Sequence, residues 1–303
     1  MKILVTGGNG FIGKPTVRSI SGRGHEVLSP SRPYASSSDA RDSLDLLDAN
    51  AVNSYLSHHQ PDGLIHLAWD TTPGAYWISS ANLTWTAASL RLLESFVRHG
   101  GKRAVIAGTS AEYSWSGDSP LSETDTPLAP DSLYGVSKDS LRRILEAWAP
   151  AAGISLAWGR VFCPYGPREK SSRLIPKLIT RLEAGETLPF DSGNLTRDFL
   201  HVDELGSAFA TLFESNFEGT VNLASGEDLT IREVATQLGD YLNRSNQIQF
   251  DQLPDPEGQP PRVVASTKRL SSEIGWKPFK SNKERLKETC LWWREHLAAS
   301  HSN

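Results

Sequence analysis

The chain has 303 residues, 38% hydrophobic and 22% charged, with a formal net charge of −4 and a pI near 6.1. This composition suits an ordinary globular protein and offers no broad basic surface for nucleic acid. Two cysteines, Cys163 and Cys290, argue against a disulfide framework or a cysteine-rich zinc site, and no metal site is expected. No apolar run reaches the roughly 18 residues of a membrane span, and the chain opens directly into a strand pattern. The expectation is a cytoplasmic enzyme with no membrane or nucleic-acid partner.

The first elements read as strand, turn and helix. Ile3-Leu4-Val5 precedes Thr6-Gly7-Gly8-Asn9-Gly10-Phe11-Ile12-Gly13, and a helix pattern covers about 11–22. Gly7 permits the turn, Gly10 lets backbone approach a pyrophosphate, and Gly13 lets the helix pack closely. Free N–H groups at the helix start would face the phosphates. A second strand at 25–29 completes a βαβ unit. The GxxGxxG spacing, introduced by a threonine, resembles that of the extended short-chain dehydrogenase/reductase family. These are NAD(P)-dependent sugar-nucleotide epimerases, dehydratases and reductases. The resemblance implies a Rossmann-type doubly wound parallel sheet with a smaller C-terminal α/β substrate-binding domain. Residues 1–165 and about 191–225 would form the first, and about 166–190 and 226–303 the second.

Past the second strand, Ser31 stands where an NAD-binding chain carries an acid for the ribose hydroxyls, and Arg32 follows. A hydroxyl and a guanidinium suit a 2′-phosphate, so NADP(H) is expected over NAD(H). The serine-rich stretch 34–43 reads as a polar, mobile loop. The resemblance places Asp45 and Leu46 beside the adenine. It also runs the third strand, Gly63–Ala68, past the cofactor, so Leu67, Ala68 and Trp69 join the cofactor-binding set with Asn9, Phe11, Ile12 and Val161. His66 reads as a packed structural histidine. The segment Trp69-Asp70-Thr71-Thr72-Pro73-Gly74 departs from the family's usual small residues and is expected to shape the substrate mouth. A long amphipathic pattern covers about 76–99, where Asn82 matches a family asparagine that braces the central strands.

After the fourth strand at 104–107 comes a second long helix, from near Ser132 to about Trp148. In relatives these two long helices form an intersubunit bundle, which implies a homodimer through about 76–99 and 132–148. The second helix carries Tyr134-Gly135-Val136-Ser137-Lys138. Residues four apart share a helix face, and a nearby ammonium favours the phenolate. Tyr134 could then exchange a proton with a sugar hydroxyl or carbonyl. The resemblance also assigns Lys138 to the nicotinamide ribose. Thr109 lies four positions before Tyr113 and 25 before Tyr134, the family spacing for the hydroxyl that orients the substrate oxygen, with Ser110 as the alternative. The competing reading of Thr109 is a strand-end hydroxyl capping its own backbone.

Dehydratases of the family carry Asp-Glu directly after this threonine. Here those positions are Ser110 and Ala111, and Glu112 comes one place late, on a strand that would turn it to the opposite face. Dehydration is therefore disfavoured. For a nucleotide-diphosphate sugar, Arg197 in the RDF segment and Arg262 match family phosphate ligands. Arg160 is either a third or a structural residue. Cys163 replaces a family asparagine that touches the diphosphate, and no base stands ready to make it a nucleophile. The leading expectation is an NADPH-dependent 4-ketoreductase of a nucleotide-linked deoxysugar using Thr109, Tyr134 and Lys138. The alternatives are an NAD-dependent 4-epimerase and a non-catalytic NADP(H) sensor.

Overall fold

The computed structural model describes residues 1–33 and 43–301; the serine-rich stretch 34–42 lies outside the described residues. In chain order the elements are β1 (Lys2–Thr6), α1 (Gly13–Ser21), β2 (Glu26–Leu28), α2 (Ala49–His59), β3 (Gly63–His66), α3 (Ala81–Arg98), β4 (Arg103–Thr109), α4 (Leu133–Ala152) and β5 (Ser155–Val161). There follow β6 (Cys163–Tyr165), α5 (Leu174–Glu183), β7 (Leu188–Pro189), β8 (Thr196–Arg197), β9 (Phe199–His201), α6 (Val202–Glu214) and β10 (Gly219–Leu223). The chain ends with β11 (Leu229–Thr230), α7 (Ile231–Leu242), β12 (Ile248–Gln249), β13 (Arg262–Val263), α8 (Lys268–Ser272) and α9 (Asn282–His301).

Six parallel strands form the main sheet in the order β10-β5-β4-β3-β1-β2. Both faces are covered, as parallel sheets require. The alternation of side chains decides which core each strand residue enters. Leu4, Leu64, Ala104, Ile106 and Trp158 pack with Leu92 and Leu141 of α3 and α4. Ile3, Val5, Ile65, Val105 and Ala157 pack with Ile20 of α1 and Phe209 of α6. Strand order reverses between β1 and β3, so the segments leaving their carboxyl ends diverge around a crevice, the usual ligand position in this class of sheet. Among the described residues no helix is long and apolar enough to cross a membrane.

Three boundaries differ from the sequence expectation. The first long helix starts at Ala81 rather than near 76, because the Asn82 amide takes the carbonyls of Tyr76 and Ser79 and holds 76–80 in turns. α4 runs on to Ala152, with Pro150 accommodated in its last turn and Gly153, at φ +64°, ending it. Leu270, Ile274 and Trp276 pack into the core behind the large sheet, so 268–276 belongs to the larger unit and not to the smaller one. The smaller core joins α5, α7 and α9 around Tyr165, Ile179, Leu238 and Leu286.

Candidate active site

The glycine turn is set by close contacts. Gly7 has φ +71°, and a Cβ there would lie 2.9 Å from the Ala68 nitrogen, where the segment after β3 passes. A Cβ on Gly13 would lie 2.0 Å from the Gly7 carbonyl oxygen, so the helix docks on the turn itself. No side chain caps α1 at Ile12, and its first turn carries no acid, which leaves the positive helix end open to an anion. A cavity of about 350 Å³ borders this turn, lined in part by Asn9, Gly10, Phe11, Lys14, Arg18 and Arg168. Sequence reasoning missed Lys14, Arg18 and Arg168; the only available signal was basic charge.

Around the far end of the groove the expected residues are present but engaged. The Asn9 amide donates to the Ser31 hydroxyl at 3.1 Å. The Arg32 guanidinium lies 5.7 Å from the Trp85 ring centroid. Asp70 sits nearby, its carboxyl held low by the Thr72 hydrogen bonds with Arg32 and Lys170 adding to the effect. Asp45 accepts from the Leu47 N–H at 2.9 Å, and Leu46 packs on the core. Leu67 and Ala68 border the glycine turn, and Val161 ends β5, buried. Asn82 braces the 76–79 turn and the Trp69 indole, whose N–H it accepts at 2.9 Å, and not the central strands. Trp69 itself is buried in the core beside Trp85 and does not form the mouth. His66 is the packed histidine expected, bridging Thr6 and Ser89. Burial, helped by Lys138, holds it neutral with a pKa near 3.

The reacting centre forms where β4 ends. Residues Ser110–Glu112 make a 3-10 turn rather than continuing the strand. Thr109 caps that turn, accepting from the Ala111 N–H at 3.2 Å, and the Glu112 carboxylate accepts from the Thr109 N–H at 2.8 Å. Glu112 does not point to the opposite face of a strand; it is fully buried, with its second oxygen accepting from Arg160 Nε at 2.7 Å and its first also taking the Trp158 indole N–H at 2.9 Å. The start of α4 closes on this turn. A Cβ on Gly135 would lie 2.3 Å from the Ala111 carbonyl oxygen, so only glycine brings Tyr134 this near to Thr109. Thr109 is thus the cap that the competing reading expected, and its side chain also lies close enough to Tyr134 to oppose the rise in the phenol's pKa. Ser110 lies buried next to it.

Tyr134 stands in an aromatic enclosure. The centroids of Tyr76, Trp77 and Trp69 lie 4.9, 5.8 and 6.4 Å from its own, all edge-on. Burial raises its pKa well above the usual phenol value, and the Thr109 hydrogen bond only opposes this. The expected lowering by Lys138 is not seen: the lysine is committed elsewhere. Its ammonium donates to the Ala107 carbonyl at 3.0 Å and rests 3.7 Å from the Trp69 centroid. Burial pushes Lys138 down to about 7, with Glu112 pulling the other way.

Among the arginines, Arg160 is structural: 1% exposed, bonded to Glu112 and the Tyr113 hydroxyl, and stacked over the Tyr113 ring. Arg197 donates to the Thr196 and Pro260 carbonyls, and Arg262 pairs with Asp228, the residue before β11. One arginine that acts on Tyr134 is not singled out by the sequence. Arg173, at the start of α5, lies 5.5 Å from the Tyr76 centroid, and its charge opposes the raised pKa of Tyr134 and of Cys163. Burial pushes the Cys163 thiol up to about 12, so it is no nucleophile near neutral pH. The aspartate of the RDF segment, Asp198, is a brace: buried, it accepts from Ser225, Gly226 and Ala265 and ties the segments together.

The NAD dependent epimerase/dehydratase family model matches residues 3–224, and the chain belongs to that family, of the extended short-chain dehydrogenase/reductase type. The UDP-glucose 4-epimerase of Corynebacterium glutamicum is 28% identical, with 92% of this chain and 91% of that one covered. A structure of UDP-glucose 4-epimerase from Thermotoga maritima with UDP-glucose superposes with a TM-score of 0.86 at 25% identity, covering 98% and 100%. A dTDP-glucose 4,6-dehydratase from Streptomyces venezuelae with NAD bound superposes with a TM-score of 0.83 at 26% identity, covering 98% of each chain. The glycine turn of this chain, with its uncapped helix and the cradle that a Cβ at Gly7 or Gly13 would fill, fits the dinucleotide that such proteins hold.

Proposed function

We propose that the chain is a 4-epimerase of a nucleotide-diphosphate hexose, working with firmly held NAD(H). The reading rests above all on the contrast within one turn. Thr109 and Tyr134 come together with Lys138 alongside, while residues 110 and 111 carry no acid and Glu112 is consumed by Arg160, Trp158 and the Thr109 N–H. Proton exchange at one sugar oxygen is supplied for; elimination of water across a neighbouring bond is not. The similarity to two UDP-glucose 4-epimerases favours the same direction.

In this reading Thr109 orients the C4 oxygen, and Tyr134 acts as its phenolate, taking the C4 hydroxyl proton as hydride leaves C4 and returning it as hydride comes back. Lys138 supplies positive charge behind the tyrosine. The aromatic enclosure keeps water from the exchanging proton. Bound nicotinamide would supply reversible hydride acceptance at C4. The glycine turn would hold the diphosphate of the cofactor, with Asn9, Ser31, Arg32, Asp45 and Leu46 toward its adenosine end. Arg173, Arg197 and Arg262 are proposed for the substrate diphosphate, where guanidinium forks suit paired phosphate oxygens. Exposed Leu83 on α3, with Val136 and Ile144 on α4, motivates a homodimer through these helices. The test is to incubate the purified protein with UDP-glucose, UDP-N-acetylglucosamine and dTDP-glucose and to resolve the C4 epimers by chromatography. Interconversion without net change in cofactor supports the proposal; no interconversion of any of the three sinks it.

A second reading, an NADPH-dependent 4-ketoreductase, is favoured by one observation: Ser31 and Arg32 stand where an acid would repel a 2′-phosphate. Stoichiometric NADPH oxidation with a nucleotide-linked 4-keto-6-deoxyhexose would replace the epimerase reading.

A further inference from the structure

Trp69 stands where a small residue was expected, and the fold gives it one orientation. The indole N–H donates to the Asn82 side-chain oxygen at 2.9 Å, and the Asn82 amide is itself anchored on the Tyr76 carbonyl at 2.7 Å and the Ser79 carbonyl at 2.9 Å. Trp85 packs beside the ring at 6.2 Å between centroids, and both indoles are buried. On the clamped ring rests the Lys138 ammonium, 3.7 Å from the centroid and 3% exposed. The Ala107 carbonyl accepts one of its three donors. An indole face is the strongest aromatic partner for a cation, and the attraction grows as water is excluded.

We infer that Trp69 is a positioning residue for Lys138: its indole, clamped by Asn82, is the seat that keeps the buried lysine charged and fixed between β4 and α4. The catalytic meaning of this seat rests on the role proposed above for Lys138; the charge and placement of the lysine do not. The other groups that face Lys138 are few. Glu112, from the turn after β4, favours the ammonium. His66, at the end of β3, is neutral, and Tyr134, one turn earlier on α4, is a phenol. Burial acts against the charge and holds the lysine near 7. The indole is therefore an uncharged side chain that works against burial.

The direction of the effect follows. A cation–π contact stabilises the protonated form, so removing it while keeping the site dry lowers the lysine midpoint. Trp69→Leu keeps an apolar filler and removes the π face. The lysine is followed by 13C NMR in protein labelled at lysine Cε, with the signal assigned by its loss in Lys138→Arg. In Trp69→Leu the midpoint is expected to fall by about one pH unit, a tenfold weaker proton affinity. Trp69→Phe, with a weaker π face, should fall by less. The alkaline limb of the kcat/KM profile should move by the same amount in each variant, with Phe restoring what Leu loses. An unchanged midpoint in Trp69→Leu, or a rise caused by water entering a merely plugged space, overturns the inference. Should Trp69→Leu not fold, Asn82→Ala keeps the indole but frees it: a fall in midpoint again supports the seat, and an unchanged midpoint overturns it. The titration needs no substrate. Absence of turnover with the expected midpoints would therefore count against the epimerase reading alone.

Discussion

Glu112→Gln is the sharpest test of how the reacting centre is held. The carboxylate is wholly buried and accepts three hydrogen bonds, from the Thr109 N–H at 2.8 Å, Trp158 Nε1 at 2.9 Å and Arg160 Nε at 2.7 Å. An amide has one acceptor oxygen, so its NH2 must face a donor whichever way it turns, and Arg160 becomes an unpaired buried cation. Breaking a buried pair from one side costs about 3–5 kcal/mol. Against a total of roughly 5–15 kcal/mol that is a large share. Urea unfolding followed by tryptophan fluorescence should show the midpoint falling at unchanged slope. Arg160→Met should fall by a similar amount, and the double variant by clearly less than the sum, because the two losses describe one interaction. Turnover should fall as well, since the Thr109 turn loses its reciprocal cap. A loss below about 1 kcal/mol, the range of an exposed ion pair, would refute the reasoning.

Four further outcomes are expected. Tyr134→Phe should lower turnover by roughly 100- to 10,000-fold while leaving cofactor affinity intact, as read by cofactor titration beside the epimer assay. Gly13→Ala, whose new methyl would fall 2.0 Å from the Gly7 carbonyl oxygen, should weaken dinucleotide binding at least about tenfold by calorimetry. Glu169 carries a buried carboxylate oxygen without a hydrogen-bond partner, and burial raises its pKa from 4.5 to about 8. Its contribution is therefore fully present below pH 4.5 and is lost as pH rises through 8; Glu169→Gln should flatten the dependence of the urea midpoint across that window. Ile144→Glu together with Val136→Glu should yield a monomer by light scattering if the exposed faces of α3 and α4 meet a second copy.

The fold was legible because its signals are local. Short, continuous apolar runs in β1, β3, β4 and β5 and a glycine turn at the first βα junction leave few other arrangements. That Thr109 and Tyr134 lie close together, with Lys138 one turn along the same helix, was legible for the same reason: a spacing on one strand end and one helix was enough. What the sequence hid is what depends on contacts between distant segments. Arg173 and Arg168 sit in a stretch without periodicity, so nothing marked them as facing Tyr134 or the glycine turn. Tyr76 and Trp77 read as part of a helix until the Asn82 amide turned them inward. The extra packing of 268–276 on the large sheet follows a return of the chain that no motif announces.

The late carboxylate at 112 shows how one register step decides a chemistry. Had β4 continued as a strand, alternation alone would have turned Glu112 away from the substrate side. The chain instead tightens into a 3-10 turn, which needs a cap at its start and an acceptor for the freed Thr109 N–H. Glu112 satisfies that N–H, and the same step brings it to Trp158 and Arg160 on β5. An acid so bound has three of its roughly four acceptor sites taken and a cation fixed against it, so protonating a leaving hydroxyl would break the support of Thr109. The turn that presents Thr109 to Tyr134 therefore exists because the carboxylate is spent on holding it. Under the proposed function, a chain built this way would keep proton exchange at one oxygen and forgo the elimination that an acid at 110 or 111 would serve.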